Sequence, residues 1–422
     1  MSQLLVDHEG ELFQIDKAAE LGGGAVDDPH RAFAALLSKG PVHKGSLAEC
    51  MGLPPEYNGK AFYSPGVTYY SVFSFAAVND VFTRKEDFSS ESYADMGITR
   101  QFGDTILNMD GARHRRYRSL IQHYFHPGAA AGSWREKVIA PLVKALIDGL
   151  ESQQSVDLNA QFFARLPLHT ITAGFGMSPE EGAQYRYYML ANIRSKTAEE
   201  AAAATAAGRQ ILESVIRQRQ TEPRDDLISE LSRAMLEEED GSRRPLNFEE
   251  IVSFCRLIVF AAGEATWRQL GTTFFALLNH PEQLAAVRRD RSLLANAISE
   301  SLRWESDSMF PRKVMRDTVL HGTALPKDAV LHVCLGAANH DPSRWENPER
   351  FDIHRPLQRS VAFGHGLHAC LGQHVARQEM ETALGALFDR FPNIRWDPAK
   401  PPARLTGSLI QRGPGPLHVL LH

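Results

Sequence analysis

Apolar residues recur every three or four positions through the middle of the chain, a period that predicts helices rather than strands. From Arg113 to Leu302 it runs through HRRYRSLIQHYF, VIAPLVKALIDGL, AEEAAAATAAGRQILESVIRQRQ and the segment that begins PEQLAAVRRDRSLL. One stretch, FEEIVSFCRLIVFAAGEATWRQLGTTFFALL, is too long and too apolar on all sides for a surface helix. It is expected to cross the centre of the molecule, where such a helix often lines a site. Period-two alternation is confined to VTYYSVFSFAAV near the start and to TVLHG and AVLHVCL later on. A Pro-rich coil (WENPERFDIHRP), a Gly/His-rich segment, one more helix (VARQEMETALGALFDRF) and a terminal strand pair complete the chain. The expected class is mainly α with small β-sheets. With no fixed-period repeat and no long linker, residues 1–422 read as a single domain.

Composition narrows this only slightly. The 422 residues are 43% hydrophobic and 23% charged, an ordinary globular balance. Forty-six basic residues against 51 acidic ones give a net charge of −5, scattered over the whole length. That pattern offers no nucleic-acid footprint and no anionic-lipid anchor. Cys50, Cys255, Cys334 and Cys370 are too widely spaced for a disulfide framework or a CxxC knuckle, so a reducing compartment is the default. The opening MSQLLVDHEGELFQID lacks the basic n-region of a signal peptide, and no run reaches the ~18 apolar residues of a membrane span. A cytoplasmic protein without a membrane anchor is expected.

The chemistry concentrates in Phe363-Gly364-His365-Gly366-Leu367-His368-Ala369-Cys370-Leu371-Gly372, directly before a helical pattern. Taken alone it admits three readings. His365, His368, Cys370 and His374 are side chains zinc accepts. Alternatively, the glycines form a tight loop whose backbone presses on a flat haem, with Cys370 near a helix start whose N–H groups stabilise a thiolate. The third is a small buried Cys in a Gly-rich turn.

This segment resembles the ligand loop of the cytochrome P450 family, F-G-x-G-x-[RH]-x-C-x-G, at every fixed position. Four further stretches fall in that family's order. Glu300-Ser301-Leu302-Arg303 is similar to its E-x-x-R, and Pro348-Glu349-Arg350-Phe351 to its P-E-R-F. The resemblance implies a buried structural network of Glu300, Arg303 and Arg350. Asp110 to Arg118 resembles D-P-P-x-H-x-x-x-R without its prolines, and implies that His114 and Arg118, four apart on one helix face, bind a haem propionate. Arg312 and His368 are the further propionate partners it implies. The cofactor would be haem b, with Cys370 as the iron ligand and Phe363, Gly364 and Gly372 shaping the loop.

The family's central helix usually reads [AG]-G-x-[DE]-T, whose acid and alcohol relay protons to dioxygen. Here the segment is Ala261-Ala262-Gly263-Glu264-Ala265-Thr266. Matching Gly263 to the family glycine puts Thr266 at the alcohol. Matching the downstream His280-Pro281 puts Glu264 at the acid and Ala265 at the alcohol, and leaves Gly271 where relatives often have a small residue. The second register is preferred, because an uninterrupted helix cannot absorb a one-residue shift without a bulge. Proton delivery then falls to Glu264, an ordered water, a substrate hydroxyl, or Thr266 through a π-bulge.

Substrate contacts implied by the resemblance fall within Ser89–Phe102, Leu190–Ser195, Phe260–Ala265, Asp307–Phe310 and Ser408–Ile410. Ala261, Met309, Phe310, Leu409 and Ile410 are the apolar candidates, and Asp307 is a candidate anchor for a polar or basic group. No flavin or iron–sulfur module fits in this length, which implies a ferredoxin or flavodoxin with its NAD(P)H reductase, met by a basic face that includes Arg115 and Arg116. The expected function is a haem-thiolate monooxygenase that inserts one atom of O2 into a small or medium apolar substrate. Three alternatives stay open: a peroxygenase or oxidative bond-forming enzyme, suggested by Ala265; a haem sensor or carrier; and a zinc hydrolase.

Overall fold

Helices α1 (Gly111–Gln122), α2 (Arg165–Gly174), α3 (Pro179–Arg194), α4 (Ala198–Thr221), α5 (Phe248–Asn279), α6 (Leu293–Trp304) and α7 (Gln373–Arg390) frame the site. The computed structural model describes residues 24–422 except 60–61, 93–101, 196 and 307–308. The long apolar stretch forms α5 without a break. Asn247 starts it with a capping box: its Oδ1 accepts the Glu250 N–H at 2.9 Å, and the Glu250 carboxylate accepts the Asn247 N–H at 2.7 Å. Beyond His280, Pro281 ends it by opening a new helix.

α5 packs against α2, α4, α6 and α7, so its apolar residues are buried on most sides. Phe274 stacks on Phe388 of α7 at 6.1 Å and meets Phe163 edge-on at 5.7 Å. Each such ring contributes roughly 1.5–3 kcal/mol by leaving water. Gly271 is needed for close approach, since a Cβ there would lie 2.7 Å from Asn159 Oδ1 and 2.9 Å from Pro414.

The principal sheet joins β1 (Val42–Lys44), β2 (Tyr69–Val72), β3 (Phe88–Ser89), β4 (Met309–Val314) and β5 (Val330–Cys334) in the order β1-β2-β5-β4-β3. β5 lies centrally and is buried throughout, parallel to β2 and antiparallel to β4, with Val333 opposite Phe310. The expected strand through VTYYSVFSFAAV stops early. Ser74 Oγ accepts the Ala77 N–H and caps a helix over Phe75–Thr83, so the apolar FAAV serves a helix face. Among the described residues, no helix is long and apolar enough to cross a membrane.

Candidate active site

The Gly-rich segment folds into a tight loop. Gly364 N–H donates to Val361 O, Ala369 N–H to Gly366 O and Cys370 N–H back to Phe363 O. Gly364 and Gly366 have φ of +66° and +70°. A Cβ on Gly366 would lie 2.5 Å from the Phe82 carbonyl, so only glycine fits there. The loop holds Cys370 just ahead of α7, and the sulfur accepts the N–H groups of Gly372 and Gln373. Burial pushes the thiol up, while these donors and the Arg118 guanidinium work in the opposite direction. Cys255 and Cys334 are buried, whereas the Cys370 side chain is accessible. Phe363 is half-buried under the Arg377 guanidinium, 5.3 Å away.

A basic cluster faces this loop. On α1, His114, Tyr117 and Ile121 point inward. Arg118 donates to the carbonyls of Ala369 (2.7 Å) and Leu367 (3.4 Å), tying α1 to the residues just before the cysteine. His114 is fully buried, and neither ring nitrogen has a partner. Burial, with His368 and Arg118 beside it, pulls its pKa down to about 3. Each unmet buried polar group costs roughly 1–3 kcal/mol, so a neutral imidazole here suits an external hydrogen-bonding group. The His368 ring lies 4.3 Å from that of His114, but its Nε2 bonds Asp110 Oδ1 at 2.9 Å. Asp110 also accepts Ser89 Oγ and the Ser90 N–H. Arg312 on β4 is buried and lies over the Phe82 ring. A group with acidic arms and a metal that accepts a thiolate fits this donor set, as haem does.

The four zinc candidates do not converge: His365 bonds Asn79 and Arg359, and His368 bonds Asp110. Among the described residues no three His, Cys, Asp or Glu side chains gather as metal ligands.

Glu300 and Arg303 form a buried bidentate pair, both bonds 2.8 Å. The third member is Arg355, not Arg350, which corrects the sequence expectation. Arg355 Nε donates to Glu300 Oε1 at 3.1 Å, and Arg350 points its side chain to solvent. Arg350 contributes only its carbonyl, which accepts from both Arg303 and Arg355. The coil turns at Asn347 in a positive-φ conformation, and its hydrogen-bonded path aims the later arginine inward.

On α5, Ala261 is exposed and Ala265 half-buried one turn later on the same side, while Glu264 and Thr266 are buried. α5 is α-helical throughout, without the π-bulge that would bring Thr266 round. Glu264 is gripped by Arg186 Nη1 of α3 and Trp267 Nε1, both at 3.3 Å, with Arg268 at 3.8 Å. Met309 and Leu409 are fully buried in a packed cluster with Phe33 and Phe73, and Ile410 packs on it. Phe310 packs on the sheet cluster around Leu331. Asp307 lies outside the described residues.

Residues 177–419 match the family model described as cytochrome P450. The chain belongs to the cytochrome P450 family. It is 34% identical to cytochrome P450 107B1 of Saccharopolyspora erythraea over 75% of this chain and 77% of the relative. It is 30% identical to the vitamin D(3) 25-hydroxylase of Pseudonocardia autotrophica, covering 87% of each. Among solved structures it resembles CYP109E1 from Bacillus megaterium in complex with testosterone, with a TM-score of 0.79 and 26% identity over 94% of this chain and 99% of that one. The P450 fold is mainly helical with small sheets, as the hydrophobic pattern predicted, and the enzyme is a cytochrome P450 monooxygenase. Membership implies haem.

Sequence reasoning missed Asp110 as the partner of His368, 258 positions away, and Arg186 as the partner of Glu264. It also missed a buried charge cluster in which Glu305 binds Arg412 at 2.5 Å and His30 at 3.0 Å. No local spacing signals such distant pairs.

Proposed function

We propose that this P450, acting as a single catalytic domain, hydroxylates a small or medium, largely apolar organic molecule at the face of α5 that carries Ala261 and Ala265. The observation that carries the reading is the convergence of an accessible, N–H-supported Cys370 with His114, whose two ring nitrogens have no partner, and with the guanidinium groups of Arg118 and Arg312. Haem b bound through the Cys370 thiolate supplies dioxygen activation and insertion of one oxygen atom, with electrons from a ferredoxin or flavodoxin and its NAD(P)H reductase.

The residues around that group have separable tasks. The N–H groups of Gly372 and Gln373 hold the thiolate, and His114, Arg118 and Arg312 hold the propionates. His368 joins them through its ring edge while Asp110 fixes its orientation. Glu264 collects a proton on a carboxylate oxygen beside Arg186 and passes it toward Ala265, where a water stands in for the missing hydroxyl. The small Ala261 and Ala265 leave room for substrate. Exposed Arg115 gives the reductant a basic contact on this side of the molecule. Relatives named as hydroxylases support this reading.

The absence of a hydroxyl at Ala265 favours a second reading, a peroxide-driven enzyme or an oxidative bond-forming one. The reduced, CO-bound difference spectrum tests the ligand: a strongly red-shifted Soret band is expected in the wild type and should vanish in Cys370→Ser. Product formed with reductase, ferredoxin and O2 supports the hydroxylase, whereas product formed with hydrogen peroxide alone supports the alternative.

A further inference from the structure

The segment that leaves β3 carries a hydroxyl with nothing to bond. Ser90 is 1% exposed, and its Oγ has no hydrogen-bond partner among the described residues. Its backbone is engaged, because the N–H donates to Asp110 Oδ2 at 2.8 Å. That carboxylate is already well supplied: it also accepts Ser89 Oγ at 2.6 Å and pairs with the His368 ring at 2.9 Å. A buried hydroxyl left unpaired destabilises a fold, so its acceptor is to be sought outside the chain's own groups.

Ser92, two residues on, is equally buried and unpartnered. Position separates the two. β3 runs antiparallel to β4 with Phe88 opposite Val314 and Ser89 opposite Lys313. Carried one step further, that register brings Arg312 opposite Ser90. Burial lowers the His368 pKa and Arg312 adds to the effect, which puts this buried guanidinium within electrostatic reach of the ring. Ser90 therefore stands between the Asp110–His368 pair and Arg312, and the His114 ring lies 4.3 Å beyond His368.

The neighbours select the ligand. A guanidinium and an imidazole with both nitrogens unmet attract an acceptor that carries negative charge, and burying such a group requires donors on every side. A serine hydroxyl adds a neutral donor that rotates to meet a carboxylate oxygen. Asp110, the anion beside them, has its own oxygens occupied. We infer that Ser90 binds a haem propionate, donating its hydroxyl hydrogen to a carboxylate oxygen next to Arg312. The inference rests on the reading of this cluster as a haem site. Ser90 lies outside every motif that carries the family resemblance, and only the fold brings it to the propionate partners.

The test follows haem transfer from the holoenzyme to excess apomyoglobin, together with the propionate bending bands of its resonance Raman spectrum. Ser90→Ala removes the hydroxyl, and Ser90→Cys keeps its volume with a much weaker donor. Both should release haem at least about tenfold faster than the wild type, the scale of one hydrogen bond to a charged group, and both should shift a propionate band. Release at the wild-type rate from either variant overturns the inference. So does faster release with unmoved propionate bands, the result a packing role would give. Failure of both variants to fold overturns it too, because a hydroxyl without a protein partner cannot be what the chain folds around. The CO difference spectrum of the wild type judges the haem-thiolate reading separately, and that reading can hold while the role of Ser90 fails.

Discussion

Two buried glutamates, both next to arginines, are held in different ways. Glu300 is saturated: Arg303 grips it through two 2.8 Å bonds, and Arg355 and the Asp352 N–H each approach to 3.1 Å. Glu264 has the same kind of partners at arm's length, 3.3 Å from Arg186 and Trp267 and 3.8 Å from Arg268. A carboxylate whose lone pairs are all engaged at short range cannot trade a proton without breaking several charge-assisted bonds at once. One held by longer contacts can turn. The first arrangement suits a scaffold that fixes the coil leading to the cysteine loop, the second a group that moves protons. Burial and charge pairing alone do not distinguish the two; the lengths and number of the contacts do.

The largest effect expected from breaking this comparison lies on the scaffold side. Glu300→Ala leaves Arg303 buried and uncompensated, a loss of roughly 3–5 kcal/mol. It should appear as loss of soluble holoprotein, with a fall in Tm and in haem content. If Glu300→Ala retained wild-type Tm and haem, the scaffold role would be wrong.

Acid titration sharpens the same contrast. Burial pushes the Glu305 carboxyl up, but His30 and Arg412 outweigh burial and hold it at about 2. A carboxyl lowered on folding stabilises the protein above its unfolded pKa, and that stability is lost as pH falls from about 4.5 toward 2. Over that window the contribution is roughly 3 kcal/mol. Glu305→Gln should be less stable at neutral pH and lose less stability on acidification, checked by chemical denaturation at several pH values. Parallel curves for variant and wild type would rule the coupling out.

On the mobile side, Glu264→Gln keeps the volume and one of the two acceptor contacts, to Arg186 or to Trp267, but cannot carry the proton. Stability should fall by roughly 1–3 kcal/mol, the cost of one unmet buried polar group, while reductase-driven turnover falls by roughly a hundredfold, the lower end of general acid–base contributions. A solvent isotope effect on turnover that changes in the variant would tie the loss to proton movement. Unchanged turnover would move the proton path elsewhere.

The smallest effect concerns the corrected network. Arg350→Ala removes an exposed side chain and should shift stability by no more than about 0.5 kcal/mol. Arg355→Ala unmakes a bond to Glu300 and should cost clearly more in the same thermal melts. Equal effects would put Arg350 back into the network.

The loop around Cys370 was legible because its chemistry is local: glycines at positive φ, a cysteine and a helix start all follow one another in the chain. The central helix was legible for a similar reason, since its period, its capping Asn247 and the Pro281 that ends it lie within one stretch. Its register was less so. Ala265 and Thr266 differ by one position, and what separates them is which side of α5 meets neighbouring helices.

By itself the sequence determined the helical class, the family and the glycine loop that carries Cys370, because those depend on periodicity and contiguous motifs. Tertiary structure alone decided that Arg355 rather than Arg350 reaches Glu300, that Asp110 orients His368, and that Arg186 holds Glu264. Aperiodic coil carries no rule for which side chain turns inward, and a buried charge finds its partner through packing in space, whatever the separation along the chain.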